Sequence, residues 1–430
     1  MLIVTLLILL VLIALSIPIA AVLGTLAISL DNLYSMLPLY KAAGEIAWSS
    51  STDFLLVAIP LFIMLGEIML RAGMADRMYA SLCKWVGWLP GGLMHSNVGA
   101  CALFAATSGS SVATAATIGT VALPQVKKQG YNERLFLGTL AAGGTLGILI
   151  PPSINMIIYG VLTDTSVPKL YLAGIIPGIV LASIFMLLII FMCRYNPAFG
   201  GVRTEYSWGE KFASLKDLIP PLIIFVVVVG AIYAGIATPT EAAALGVVGA
   251  LVIAKFNGRL NLHMLREAME GTMQTTAMVM LIIIAAYFLN FILSGIGLTD
   301  QLNGLIQGLG WTPMQTMLAV VLFYLVLGFF METLSMMITT IPIVAPIIIQ
   351  MGFDPVWFGI LLMVLLETAL ITPPIGLNLY VVQGVRPGGG QVKDVIIGVI
   401  PFVIAMFLMI VILLLSPELA TWLPDFVFTS

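Results

Sequence analysis

The chain has 430 residues, 61% of them hydrophobic and 9% charged, with a mean hydropathy of +1.14 and a net charge of −3. A soluble domain carries roughly 25% charged residues, so this is a polytopic membrane protein, and its slight negative balance gives no basis for a nucleic-acid partner. Cys83, Cys101 and Cys193 lack paired spacing and His95 and His263 cannot build a metal cluster, which excludes a disulfide framework and a transition-metal site. No nucleophile, P-loop or dinucleotide motif stands in a workable context, which argues against an enzyme.

The run LIVTLLILLVLIALSIPIAAVLG (2–24) is long enough for one spanning helix. It has no basic n-region and no A-x-A site, so it reads as a retained helix rather than a signal peptide. Residues 1–50 then form a scaffold helix and an outer connector. Residues 51–195 hold a hairpin at 91–122, an interrupted helix at 134–164 and a span at 169–192. A connector and scaffold region, 196–270, contains spans at 218–236 and 240–256. Residues 271–416 repeat the pattern: a span at 272–292, a hairpin at 314–349, an interrupted helix at 354–384 and a last helix. A tail follows at 417–430.

Basic residues favour the cytoplasmic face. If 91–122 enters and leaves on one side, then Arg71, Arg77, Lys84, Lys127, Lys128, Arg134, Arg194, Arg203, Lys211, Lys216, Lys255, Arg259 and Arg266 share a face. If 314–349 does the same from the other side, Arg386 and Lys393 join them, and only Lys41 and Lys169 lie opposite. A full crossing in place of either hairpin would scatter these charges over both faces.

The two halves also match in sequence. WLPGG (88–92) faces WTPMQ (311–315), LPQVKKQGYN (123–132) faces APIIIQMGFD (345–354), ILIPPS (148–153) faces LITPPI (370–375), and LAGIIPG (172–178) faces IIGVIPF (396–402). GMADR (73–77) against GLTDQ (297–301) extends the match upstream. The offset stays at 222 to 224 residues. With the charge pattern this predicts inverted repeats, two re-entrant helical hairpins and two broken helices, an arrangement common among secondary transporters.

The paired prolines explain themselves in that frame. Proline removes a helical donor and clashes with the preceding turn. Two in succession unwind a helix, and unwound backbone survives at membrane depth only where protein or a cavity satisfies it. Freed carbonyls and half-helix ends can hold an ion. The first hairpin turns at ATSGSSVATAATIG (106–119), the second at FFMETLSMMITT (329–340), and the offset aligns Ser110 with Glu332 and Ser111 with Thr333. Neutral oxygens without clustered carboxylates suit Na⁺ better than Ca²⁺ or Mg²⁺. Two sodium regions are expected: Ser108, Gly109, Ser110 and Ser111 with Pro151 and Asn155, and Glu332, Thr333 and Ser335 with Thr372, Pro373 and Asn378. Substrate lies between the tips, against Ser110, Ser111, Asn155, Glu332, Thr333 and Asn378. No cofactor beyond Na⁺ as coupling ion is called for. Of the acids in apolar segments, Glu241 completes a capping box with Thr238, and Glu67 pairs with Arg71 one turn on. Glu332 and Glu367 are left to carry a proton or orient a tip.

GIATPTEAAALG, the SGSS tip, KKQGYNERLFLGTLAAGGTLGILIPPSINMIIYG and TPPIGLNLYV resemble the large membrane subunit of tripartite ATP-independent periplasmic (TRAP) transporters, over residues 2–420. The resemblance implies an elevator-type, sodium-driven importer of an organic acid anion such as a C4-dicarboxylate or sialic acid, in the bacterial inner membrane. It implies two partners, a periplasmic substrate-binding protein and a small four-helix membrane subunit supplied as a separate polypeptide. In that family the SGSS tip with PPSIN carries one cation region, and the second hairpin with TPPIGLN carries the other. METLSMM has fewer serines than the first tip, so cation contacts there fall mostly to backbone carbonyls. The rival readings are an autonomous sodium- or proton-coupled anion symporter needing no binding protein, a channel, and an intramembrane enzyme.

Overall fold

Lipid offers no partner for a peptide group, so a chain this apolar must satisfy its backbone internally, and it does so as helices. The computed structural model describes residues 1–202, 205–298, 301, 304, 308 and 310–429. Arg203, Thr299 and Asp300, which enter the charge and repeat arguments, lie outside the described residues.

The first half contains α1 (Leu2–Ala14), α2 (Ile19–Tyr34), α3 (Ala43–Ser51), α4 (Ala58–Arg71), α5 (Met74–Val86), α6 (Leu93–Ser108), α7 (Ser111–Gln129), α8 (Glu133–Thr145), α9 (Ile154–Thr163) and α10 (Val167–Tyr195). The second contains α11 (Trp208–Ser214), α12 (Ile219–Tyr233), α13 (Pro239–Phe256), α14 (Leu262–Gly295), α15 (Pro313–Leu327), α16 (Thr333–Gln350), α17 (Pro355–Ile371), α18 (Leu377–Gly384), α19 (Val392–Leu415) and α20 (Glu418–Thr429). Among the described residues six helical stretches are long and apolar enough to cross a bilayer: Phe54–Arg71, α10, α13, α14, α16 and α19.

The run 2–24, expected as one helix, is two. Ser16 takes a left-handed φ of 56° and Pro18 precedes α2, so the chain turns back. Met1 and Ile3 then lie beside Gln301 and Gly304, just past the end of α14 where Leu39 also packs. The pair α1–α2 thus enters and leaves at one end. It is the counterpart of α12–α13, whose turn precedes Pro239. The packing is reciprocal: α2 lies on α14, and α13 lies on α4. The repeat therefore extends upstream of Gly73 to the first helix, and 1–50 and 196–270 hold corresponding scaffold pairs. Residues 417–430, expected as a tail, carry α20, which docks on α10 with Ala420 buried and Lys169 over the Phe428 ring.

The charge argument holds for the described residues. Arg77 bonds Asn257 at 2.7 Å, Ser81 donates to the Ser214 carbonyl at 2.8 Å, and Arg71 pairs with Glu67 and Glu267. Arg134 and Arg386 converge on Asp394 at 2.9 and 3.3 Å, and Arg386 also reaches Glu133 at 2.8 Å. These contacts gather the basic loops at one end of the bundle. The Glu133 carboxylate hydrogen-bonded to Arg386 pushes that guanidinium's pKa above its ordinary value. The Thr238–Glu241 capping box and the Glu67–Arg71 pair both form as expected. His95 is buried against the Pro90 carbonyl, and His263 is exposed.

Between membrane helices, close van der Waals packing replaces the hydrophobic drive, and small residues permit it. The tightest crossing is α8 against α19: a Cβ at Gly398 would fall 1.8 Å from the Arg134 carbonyl oxygen, and one at Gly138 would fall 2.0 Å from the Gly398 carbonyl. Each repeat contributes one of these helices. Gly398→Ala must drive them apart and is expected to destabilise the protein by about 1–3 kcal/mol or more. Gly24→Ala, with open space around the added methyl, is the control. Thermal unfolding in detergent checks this; equal melting temperatures for the two variants would contradict the crossing.

Candidate functional site

The first hairpin is α6 and α7. Gly109, at φ 61°, ends α6 in a left-handed turn with its N–H on the Ala105 carbonyl at 2.9 Å, a conformation glycine takes without strain. Ser110 caps α7, its Oγ accepting from the Ala113 N–H at 3.4 Å. The second hairpin is α15 and α16. Glu332 caps α16, accepting from the Ser335 N–H at 3.0 Å and from the Thr333 hydroxyl at 3.0 Å. Ser110 and Glu332 are separated by the repeat offset, so the two tips share one local device: a side-chain oxygen holding the first turn of the returning helix.

Each tip sits on its own interruption. Residues 146–153 separate α8 from α9, and 372–376 separate α17 from α18. The Pro151–Pro152 and Pro373–Pro374 bonds are both cis. Ser111 donates to the Thr145 carbonyl at 3.1 Å, and the Pro152 carbonyl oxygen lies 3.1 Å from where a Gly109 Cβ would stand. In the second half a Cβ on Gly328, which ends α15, would press on Ala369 near the end of α17.

The halves then cross over. α9 packs on α16 of the other repeat, and α18 packs on α7. Both tips consequently face one cavity. Ser108, Gly109, Ser110, Ser111 and Asn155 line it from the first repeat, and Glu332 and Thr333 from the second. Glu67 from α4 and Thr275 and Val279 from α14 close it on the scaffold side. These scaffold residues belong to the last turns of α4 and to the middle of α14, on the side of its midpoint nearer the basic end for Thr275. At the other end the Tyr287 hydroxyl donates to the Val161 carbonyl at 3.1 Å, and Tyr159 to the Pro355 carbonyl at 2.6 Å.

Seven of the twelve sequence-nominated residues meet in this cavity. The other five lie elsewhere. Pro151 is buried in the first interruption, and Ser335 is buried one turn inside α16. Thr372 donates to the Thr368 carbonyl at 2.6 Å, and Pro373 is half-buried in the second interruption. Asn378 is fully buried against α8, its Nδ2 donating to the Ala141 carbonyl at 3.2 Å. Asn155 differs in place: it lines the cavity at 6% exposure, and its buried Nδ2 has no partner among the described residues. Sequence reading had set Glu67 aside as a structural partner of Arg71. It is both that partner and a cavity wall, and the arginine one turn on accounts for it in the sequence without a second role.

What the arrangement can do follows from its parts. α7 and α16 begin at the cavity, and helix N-termini favour negative charge. Hydroxyl and carbonyl oxygens at tip and interruption suit a hard monovalent cation. Glu332 already occupies the start of α16, so the two ends are unequal in charge.

Residues 6–419 match the family described as Tripartite ATP-independent periplasmic transporter, DctM component. The C4-dicarboxylate TRAP transporter large permease protein DctM of Vibrio cholerae is 34% identical over 95% of this chain and 94% of that protein. The sialic acid TRAP transporter large permease protein SiaM of the same organism is 32% identical over 87% of each. The solved YdaH transporter of Alcanivorax borkumensis shares the fold, with a TM-score of 0.66 at 15% identity over 94% of this chain and 98% of that one. A helical membrane fold of interlocked halves, matched over nearly its whole length, makes this chain a member of the TRAP transporter family, as its large permease subunit rather than an enzyme.

Proposed function

We propose that this subunit imports an organic acid anion by sodium symport, receiving it from a periplasmic binding protein and working beside a small membrane subunit in the inner membrane. The observation that carries the reading is the meeting of both hairpin tips with Asn155 in one cavity. A carboxylate takes the α7 N-terminus, the Ser110 and Ser111 hydroxyls and the Asn155 amide. Sodium takes tip and interruption oxygens: Ser108, Gly109, Ser110, Ser111, Pro151 and Asn155 on one side, and Glu332, Thr333, Ser335, Thr372, Pro373 and Asn378 on the other. Glu332 adds a negative charge to the second region, which a cation there neutralises.

Transport is of the elevator kind. The hairpins, the interrupted helices, α10 and α19 move together against α2, α4, α13 and α14. In this reading a cavity near the basic end corresponds to the inward-open state, with the Tyr287–Val161 hydrogen bond as part of the closed outer gate. The opposite state brings the same tips level with the outer half of α14. The substrates named for the two Vibrio cholerae relatives, C4-dicarboxylate and sialic acid, both carry carboxylate, and that group is what this cavity is read to hold.

Two measurements test the reading. In proteoliposomes with the small subunit and binding protein, Ser110→Ala and Asn155→Ala should each raise the sodium concentration for half-maximal uptake by about three- to tenfold, or roughly 0.7–1.4 kcal/mol. Unchanged sodium dependence in both removes the site. Omitting the binding protein should abolish uptake; uptake that persists without it favours the autonomous symporter.

A further inference from the structure

α17 is enclosed along its length: every residue from Val356 to Ile371 is buried. Its one charged side chain, Glu367, is fully buried, five residues before the second interruption. Neither carboxyl oxygen has a hydrogen-bond partner among the described residues, and the backbone the group faces is that of Leu149, in the first interruption. An acid from one repeat thus looks onto the unwound segment of the other, outside the cavity shared by the tips.

An ionised carboxylate without partners in such an interior is far costlier than a neutral one. The titratable groups on the neighbouring helices include no cation facing it. Tyr159 bonds Pro355 at the far end of α17, Tyr324 bonds Thr340, and Tyr171, whose buried hydroxyl has no hydrogen-bond partner among the described residues, stands beside Ser153 in the first interruption. Glu133, Arg134, Arg386 and Asp394 form the cluster at the basic end, and Glu332 caps α16. Asp164, Lys169, Arg194, Tyr380, Lys393, Glu418 and Asp425 are at exposed positions. Glu367 therefore has no cationic side chain to balance it, and the balancing cation must come from outside the chain.

We propose that Glu367 is a proton site that exchanges with the cation at the first interruption. While that interruption is empty the carboxyl is protonated. When a monovalent cation loads there, the O–H bond breaks, the proton passes to water, and the entering cation replaces its charge, so net charge is conserved. This rests on the sodium reading above and adds to it a pH-sensitive competition, placed on a residue that touches neither substrate nor the tips.

The experiment measures the sodium concentration for half-maximal uptake across a range of pH, in proteoliposomes with the small subunit and binding protein. Wild type should need more sodium as pH falls, approaching tenfold per pH unit for one-for-one exchange. Glu367→Gln, fixed in the neutral form, should show a sodium requirement that no longer varies with pH. Equal pH dependence in the two proteins, or none in wild type, overturns the exchange. Should Glu367→Gln fail to fold, adding sodium chloride to lightly buffered purified wild type decides the matter. A proton released with sodium but not with choline chloride supports the proposal, and no release overturns it. Uptake that needs no sodium at any pH instead overturns the symport reading on which the exchange depends.

Discussion

A peptide group has nowhere to go in hydrocarbon. That single constraint organises this protein, because the chain violates it twice on purpose, at 146–153 and 372–376. Each interruption leaves helix ends and carbonyls that need a partner at mid-depth. Each is answered by a hairpin tip from its own repeat: Ser111 on the Thr145 carbonyl, and the Gly328 turn on Ala369. The tips in turn are held by Ser110 and Glu332, which cap α7 and α16 from equivalent positions. An interrupted helix alone would be a defect, and a hairpin alone would be an unsupported loop. Together they bring a few polar groups to a largely apolar pocket.

The crossing of the repeats turns two such units into one. α9 lies on the second hairpin, α18 on the first, and the α8–α19 contact is so close that both partners need glycine. These helices form a body that cannot shear internally without separating Gly138 from Gly398. The scaffold also meets this body closely: a Cβ at Gly66 of α4 would fall 2.8 Å from the Ser108 carbonyl oxygen, side chains of α4 and α14 border the cavity, and the Tyr287 hydroxyl joins α14 to α9.

Much of this was legible in the sequence, and the reasons are specific. The paired prolines, the constant offset and the one-sided lysines and arginines locate hairpins and interruptions because each is a chemical signal that apolar packing cannot blur. The first helical pair was misread as a single helix because 2–24 is apolar throughout. Pro18 alone did not announce a reversal, and its mate Pro239 was read only as the start of a capped helix. The docked helix at 418–429 was missed because it is short and follows a spanning helix directly. At the site, the tip residues nominated from the sequence border one cavity, but the sequence does not show that α9 and α18 each pack across the repeat boundary. That crossing leaves Asn155 in the cavity, while Asn378, its near-equivalent, lies against α8.

The central claim is that both tips line a single chamber opened to one face at a time. Cysteine at Val112 and at Leu334, which border the chamber from the first and second hairpin, tests it most directly in a background without Cys83, Cys101 and Cys193. Each position should react with an impermeant maleimide from either face of the membrane, with sodium and loaded binding protein shifting which face is reactive. If either cysteine reacts from one face alone under every condition, the shared alternating chamber does not exist.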